Sequence, residues 1–116
     1  MPQLVTLGSE LIRINPSNGH IESSTTGGRS WLVRYTGNGC GRFIDILPFA
    51  GKLLALTDKG VYGSTTGGRS WLIRCSSSIA QSLVSLQDGG RELIGMTADG
   101  HIYTSTTEGA SWLRRR

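Results

Sequence analysis

One eight-residue phrase occurs three times in this 116-residue chain, as Ser24-Thr25-Thr26-Gly27-Gly28-Arg29-Ser30-Trp31, Ser64-Thr65-Thr66-Gly67-Gly68-Arg69-Ser70-Trp71 and Ser105-Thr106-Thr107-Glu108-Gly109-Ala110-Ser111-Trp112. The copies start 40 and 41 residues apart, a regularity that means one structural unit made three times. We divide a single domain, 1–116, into repeats at about 1–39, 40–79 and 80–116.

Aligned on the phrase, each repeat contains four short strand-like stretches. They fall at roughly Gln3 to Leu7, Leu11 to Asn15, His20 to Thr25 and Trp31 to Tyr35. In the second repeat they are Arg42 to Leu47, Lys52 to Thr57, Val61 to Thr65 and Trp71 to Cys75. The third has Gln81 to Leu86, Glu92 to Thr97, His101 to Thr106 and Trp112 to Arg115. Asn18-Gly19, Asp58-Lys59-Gly60 and Asp99-Gly100 separate second from third strands. Asn-Gly and Asp-Gly are strong hairpin signals, because type I′ turns need positive φ at both central positions. Gly8-Ser9, Ala50-Gly51 and Gly89-Gly90 separate first from second strands. Each repeat therefore reads as a four-stranded antiparallel meander, and no stretch sustains a helical period of ten or more residues. Leu53-Leu54-Ala55-Leu56 and Phe43-Ile44-Asp45-Ile46-Leu47 are apolar at successive positions, so both faces of the sheets should be covered.

Composition narrows the partners. No apolar run approaches the ~20 residues of a membrane helix, so no membrane span is expected. The first residues carry no basic head and apolar stretch of a signal peptide, so we expect a cytoplasmic protein, or a secreted one if a leader was removed. Ten arginines against two lysines contribute to a net charge of +4, but they are scattered one or two per repeat apart from Arg114, Arg115 and Arg116. A nucleic-acid reader would concentrate them in a stripe with aromatics, so nucleic acid is not an expected partner. Cys40 and Cys75 fit neither a disulfide framework nor a zinc site, and a bridge between them would need neighbouring loops.

The phrase resembles the Asp-box, or BNR repeat, whose pattern is Ser-x-Asp-x-Gly-x-Thr-Trp and which recurs in sialidases and other β-propeller proteins. Ser24, Gly28 and Trp31 match it, as do Ser64, Gly68 and Trp71, and Ser105, Gly109 and Trp112. Thr26, Thr66 and Thr107 replace the aspartate, putting a hydroxyl where a carboxylate would accept loop amides and removing the main reason to expect a cation there. The resemblance implies three propeller blades, with the phrase joining third and fourth strands as a folding device. Closed propellers use about four to eight blades, so three imply half of a six-bladed ring completed by homodimerisation. A β-trefoil, with three repeats closing in one chain, is the competing architecture.

In a propeller, the second-to-third turns and the connections between blades gather on one face. That makes Asn18, Asn38, Arg42, Asp58, Lys59, Asp99 and His101 the candidate ligand-binding residues, although turn formation alone explains Asn18, Asp58 and Asp99. A sialidase-like site would need an arginine triad, a tyrosine nucleophile with its glutamate, and an acid/base aspartate. Asn15 interrupts the match of Arg13-Ile14-Asn15-Pro16 to that family's Arg-Ile-Pro motif, while Tyr62 and Tyr103 fall at equivalent strand positions that suggest packing. We identify no catalytic residue, metal ligand or cofactor. Arg34, Arg74 and Arg115, each three residues past a Trp, should make guanidinium contacts between blades to carboxylates or aromatics. A non-enzymatic binding or scaffolding module for a protein or small polar ligand is the first expectation. A carbohydrate-binding lectin is the second and a glycosidase the third.

Overall fold

The structure is a computed structural model that describes residues 4–15, 19–36, 40–49 and 51–115. The first repeat contributes β1 (Leu4–Leu7), β2 (Glu10–Ile14), β3 (Ile21–Ser24) and β4 (Leu32–Tyr35). The second contributes β5 (Phe43–Phe49), β6 (Lys52–Thr57), β7 (Gly60–Ser64) and β8 (Leu72–Cys75). After α1 (Ser78–Ser82) come β9 (Leu83–Asp88), β10 (Leu93–Thr97), β11 (Ile102–Ser105) and β12 (Leu113–Arg115). Each set of four forms its own antiparallel sheet with strands in chain order. Among the described residues no strand pairs across repeats, which sets aside the trefoil, whose barrel requires such pairing. The three sheets are propeller blades.

Adjacent blades stack face to face through two apolar cores. Ile12, Ile14 and Ile21 of the first blade meet Phe43, Ile46, Leu53, Ala55 and Tyr62 of the second. Leu54, Leu56 and Val61 of the second meet Leu83, Leu86, Leu93 and Trp112 of the third. Strand β6 thus sends Leu53 and Ala55 one way and Leu54 and Leu56 the other, and all four are fully buried. Its unbroken apolar run follows from being sandwiched on both faces. The strands lead off from inside, with β1 and β2 against β5 and β5 and β6 against β9. Pro48 is accommodated in β5 because that strand is the edge of its sheet.

Helix α1 begins in the connection that follows the Trp71 to Cys75 strand and runs through Gln81, where the sequence predicts that a strand starts. The ninth strand begins at Leu83 instead. The Ser77 hydroxyl caps the helix by accepting the Ala80 amide at 3.3 Å. Ala80 is buried, and the helix packs on β7. One turn is too short to leave a periodic signature. Cys40 and Cys75 are both free thiols. The Cys40 thiol lies 3.4 Å from the Tyr35 hydroxyl, and that contact together with burial pushes the Tyr35 phenol up to about 12.

Candidate functional site

The repeated phrase builds the same loop three times. Ser24 Oγ accepts the amides of Thr26 (3.2 Å) and Gly28 (2.9 Å), Ser64 Oγ those of Thr66 (3.3 Å) and Gly68 (2.9 Å), and Ser105 Oγ those of Thr107 (3.3 Å) and Gly109 (2.9 Å). The threonine hydroxyl then accepts the amide four residues on, Thr26 from Ser30 (3.0 Å), Thr66 from Ser70 (2.9 Å) and Thr107 from Ser111 (2.9 Å). Trp71 and Trp112 close their loops by donating Nε1–H to the Gly68 and Gly109 carbonyls, each at 3.0 Å. Trp31 is instead covered by the Arg13 guanidinium, 4.0 Å from the ring centroid. Two successive positive-φ residues make the bend, Gly27 and Gly28 at 71° and 96°, Gly67 and Gly68 at 70° and 96°, and Glu108 and Gly109 at 58° and 94°.

These loops also lock one blade to the next. Arg34 donates Nη1–H to the Gly67 carbonyl at 3.0 Å and to Glu10 Oε1 at 3.1 Å, while Nη2 reaches Glu10 Oε2. Arg74 donates to the Glu108 carbonyl at 2.8 Å and the Thr107 carbonyl at 3.1 Å. Arg115 pairs with Glu92 at 2.6 Å. The expected contacts between blades thus exist for Arg34 and Arg74, but they run to backbone carbonyls. The carboxylate partners of Arg34 and Arg115 lie in their own blades. Lys52 stands where Glu10 and Glu92 stand, so among the described residues Arg74 has no such partner in its own blade, and Lys52 pairs with Glu108 of the next loop. The Arg34 side chain holds the Glu10 carboxyl below its ordinary value.

The structure gathers some of the candidate ligand residues and separates others. Asp58 Oδ1 accepts the Arg42 amide at 2.8 Å, and the Asp58 amide donates to the Arg42 carbonyl at 3.2 Å. The entry to β5 is thereby clamped to the β6–β7 turn, as expected for loops sharing a face. A Cβ on Gly41 would sit 2.2 Å from Asp58 Oδ1 and 2.9 Å from Lys59 Cγ, and Gly41 has φ +84°, so only glycine fits there. Asp99 and His101 form a second, exposed cluster. Asp99 Oδ1 accepts the Thr97 hydroxyl, Thr97 Oγ1 accepts the His101 amide at 3.1 Å, and His101 Nδ1 lies 3.5 Å from Asp99 Oδ2. The Thr97 bond, ahead of the nearby His101, holds the Asp99 carboxyl below its ordinary value. Asn18 and Asn38 lie outside the described residues. Among the described residues no three His, Cys, Asp or Glu side chains converge as cation ligands.

Two clefts beside the outer strands did not figure among the candidates. Ser23, Leu32, Val33, Arg34 and Arg69 line one of about 230 Å³. Lys52, Gly63, Thr65, Ser70, Leu72 and Arg74 line a smaller one of about 80 Å³ on the second blade. The two share equivalent repeat positions, since Leu32 and Leu72 each follow a phrase Trp and Arg34 and Arg74 follow two residues later. The arginine spacing was a signal for them, but the exposure of Leu32 and Leu72 beside it was not.

Meander sheets stacked through such cores, with one loop motif clamping each to its neighbour, define a propeller-like β protein. No family profile matches the chain, nor does any curated protein. Among solved structures, the chain is similar to an ancestral GH74 enzyme, with a TM-score of 0.69 over 96% of this chain at 16% identity. The chain spans 17% of that enzyme's length, and the likeness is one of fold. No helix among the described residues is long and apolar enough to cross a membrane.

Proposed function

We propose that this chain is a non-enzymatic binding or scaffolding module built on propeller blades, presenting the face that carries Arg42, Asp58, Lys59, Asp99 and His101 to a protein or small polar ligand. The supporting observation is how the acids on that face are used. Asp58 holds a backbone amide and Asp99 holds a turn, so neither is poised as a general acid or base. Tyr62, at the position a tyrosine nucleophile would have to be considered, is buried between blades. The phrases are degenerate Asp-boxes in this proposal, with Thr26, Thr66 and Thr107 accepting the amides that the aspartate would.

Carbohydrate binding is the second reading. It is favoured by equivalent clefts that combine hydroxyls, a guanidinium and an exposed leucine, and it is compatible with a GH74 enzyme as a neighbour in fold. Amide chemical shifts followed during titration with a panel of sugars and polar fragments separate the two. The module reading expects shifts at Arg42, Asp58, Lys59, Asp99 and His101, and the carbohydrate reading expects them at Ser23, Arg34, Gly63 and Arg74. Turnover of any aryl glycoside in a parallel panel would overturn both as non-enzymatic readings.

A further inference from the structure

Each blade has a forward face, covered in the first two by the next blade, and its composition repeats. In the first blade the face is Ile12, Ile14 and Ile21, and in the second it is Leu54, Leu56 and Val61. All six are buried, and Ile14–Ile21 and Leu56–Val61 are directly paired across strands. The third blade repeats the set as Ile94, Met96 and Ile102, with Met96 paired to Ile102. Here Met96 and Ile102 are each 38% exposed.

The polar half of the junction shows the same asymmetry. The Arg34 side chain, clamped on the next loop, is 7% exposed, whereas its equivalent Arg115 is 52% exposed and, among the described residues, holds its own blade's Glu92. A cleft of about 450 Å³ runs along this edge between His101, Ile102, Arg114 and Arg115. On the receiving side, a Cβ on Gly68 would meet Ile21 at 3.3 Å and one on Gly109 would meet Val61 at 2.9 Å, so the second phrase glycine seats the previous blade's β-branched side chain. Gly28 has no such neighbour.

We propose that the forward face of the third blade docks the first blade of a second copy of this chain, and reciprocally, so that two copies close one ring. A second copy is the occupant because its first phrase is identical, residue for residue, to Ser64–Trp71, the loop that Arg34 already grips. Arg115 takes the carbonyl of the partner's Gly27, and Ile102 seats on the partner's Gly28. Two sets of three blades fall within the range of about four to eight in which propellers close. The receiving face carries Arg13 and Glu22 where the second blade has Ala55 and Tyr62. These two are already ion-paired at 2.8 Å, with Asn15 also on Glu22, so covering them strands no charge. This junction is therefore the least apolar of the ring and the one that opens on dilution. The inference goes beyond the binding proposal, and either can fail alone.

Light scattering over a dilution series tests it on the whole chain. The expected mass is twice 12.5 kDa. Arg115→Glu and Ile102→Arg should each weaken association by about 30-fold or more, while Gln81→Lys, a charge added on the exposed side of α1, leaves it unchanged. Arg115 is on the surface, so its variant keeps the test valid if Ile102→Arg does not fold, with circular dichroism as the check. A 12.5 kDa species at every concentration, a mass that keeps growing with concentration, or a dimer indifferent to Arg115→Glu would each overturn the proposal.

Discussion

Asp45 Oδ2 accepts the backbone amide of Leu86 at 2.9 Å, joining the first strand of the second blade to the first strand of the third. The other oxygen accepts the Ile46 amide at 3.0 Å, and the residue is fully buried. Burial pushes its carboxyl from 3.8 up to about 6 against the pull of these two bonds. The folded chain therefore binds a proton more tightly than the unfolded chain. The resulting stability is fully present below about pH 4 and is lost as pH rises through about 6, a change on the order of 3 kcal/mol at most. Urea melts of wild type and Asp45→Asn from pH 4 to 7 should show this downward slope only in the wild type. Asn lowers overall stability as well, because one amide loses its acceptor.

Arg34 and Glu10 carry the opposite dependence. The depressed Glu10 carboxyl contributes stability that is present above its ordinary value of 4.5 and lost as pH falls through its lowered folded value. Arg34→Ala removes a nearly buried guanidinium from both Glu10 and the Gly67 carbonyl, and should cost about 2–3 kcal/mol in denaturant melts. Arg115→Ala, whose side chain is half exposed, should cost under about 1 kcal/mol when measured below the association range.

Thr66 accepts the Ser70 amide through a neutral hydroxyl, and a carboxylate at the same place would make a charge-assisted bond. Thr66→Asp is expected to raise stability by about 0.5–1 kcal/mol, and Thr66→Val to lower it by about 1–2 kcal/mol. Thermal melts of the two variants should bracket the wild type.

Glu108 is the one non-glycine residue at positive φ among the described residues, in the place Gly27 and Gly67 hold in the other loops. A side chain in the left-handed region costs roughly 1 kcal/mol or more. Glu108→Gly relieves that cost but gives up the partly exposed Lys52 pair, which is worth less. A rise in melting temperature of a few degrees is expected. The reverse change, Gly67→Glu, should lower it by a similar amount.

The repeat, the meander, the turns and the sandwiching of β6 were all legible along the chain because each depends on neighbours a few residues apart. Gly27-Gly28 announces its bend, and Leu53 to Leu56 announces a strand covered twice. The arginine spacing likewise flagged Arg34 and Arg74, though not their acceptors, since a carbonyl belongs to every residue and leaves no mark in a sequence. Helix α1 escaped because one turn shows no period. Asp58 and Arg42 stood out along the chain as candidate ligand residues, and Asp58 also as a turn former, but their clamp on each other left no mark there.

The unit and its number are thus written along the chain, because period, turn chemistry and apolar runs are local properties of the polymer. Which faces meet, the burial of Asp45 on the Leu86 amide and the place of Ile94, Met96 and Ile102 on an open blade follow only from how the sheets pack. Those outcomes depend on contacts between residues some forty positions apart, where packing of whole sheets selects the partner.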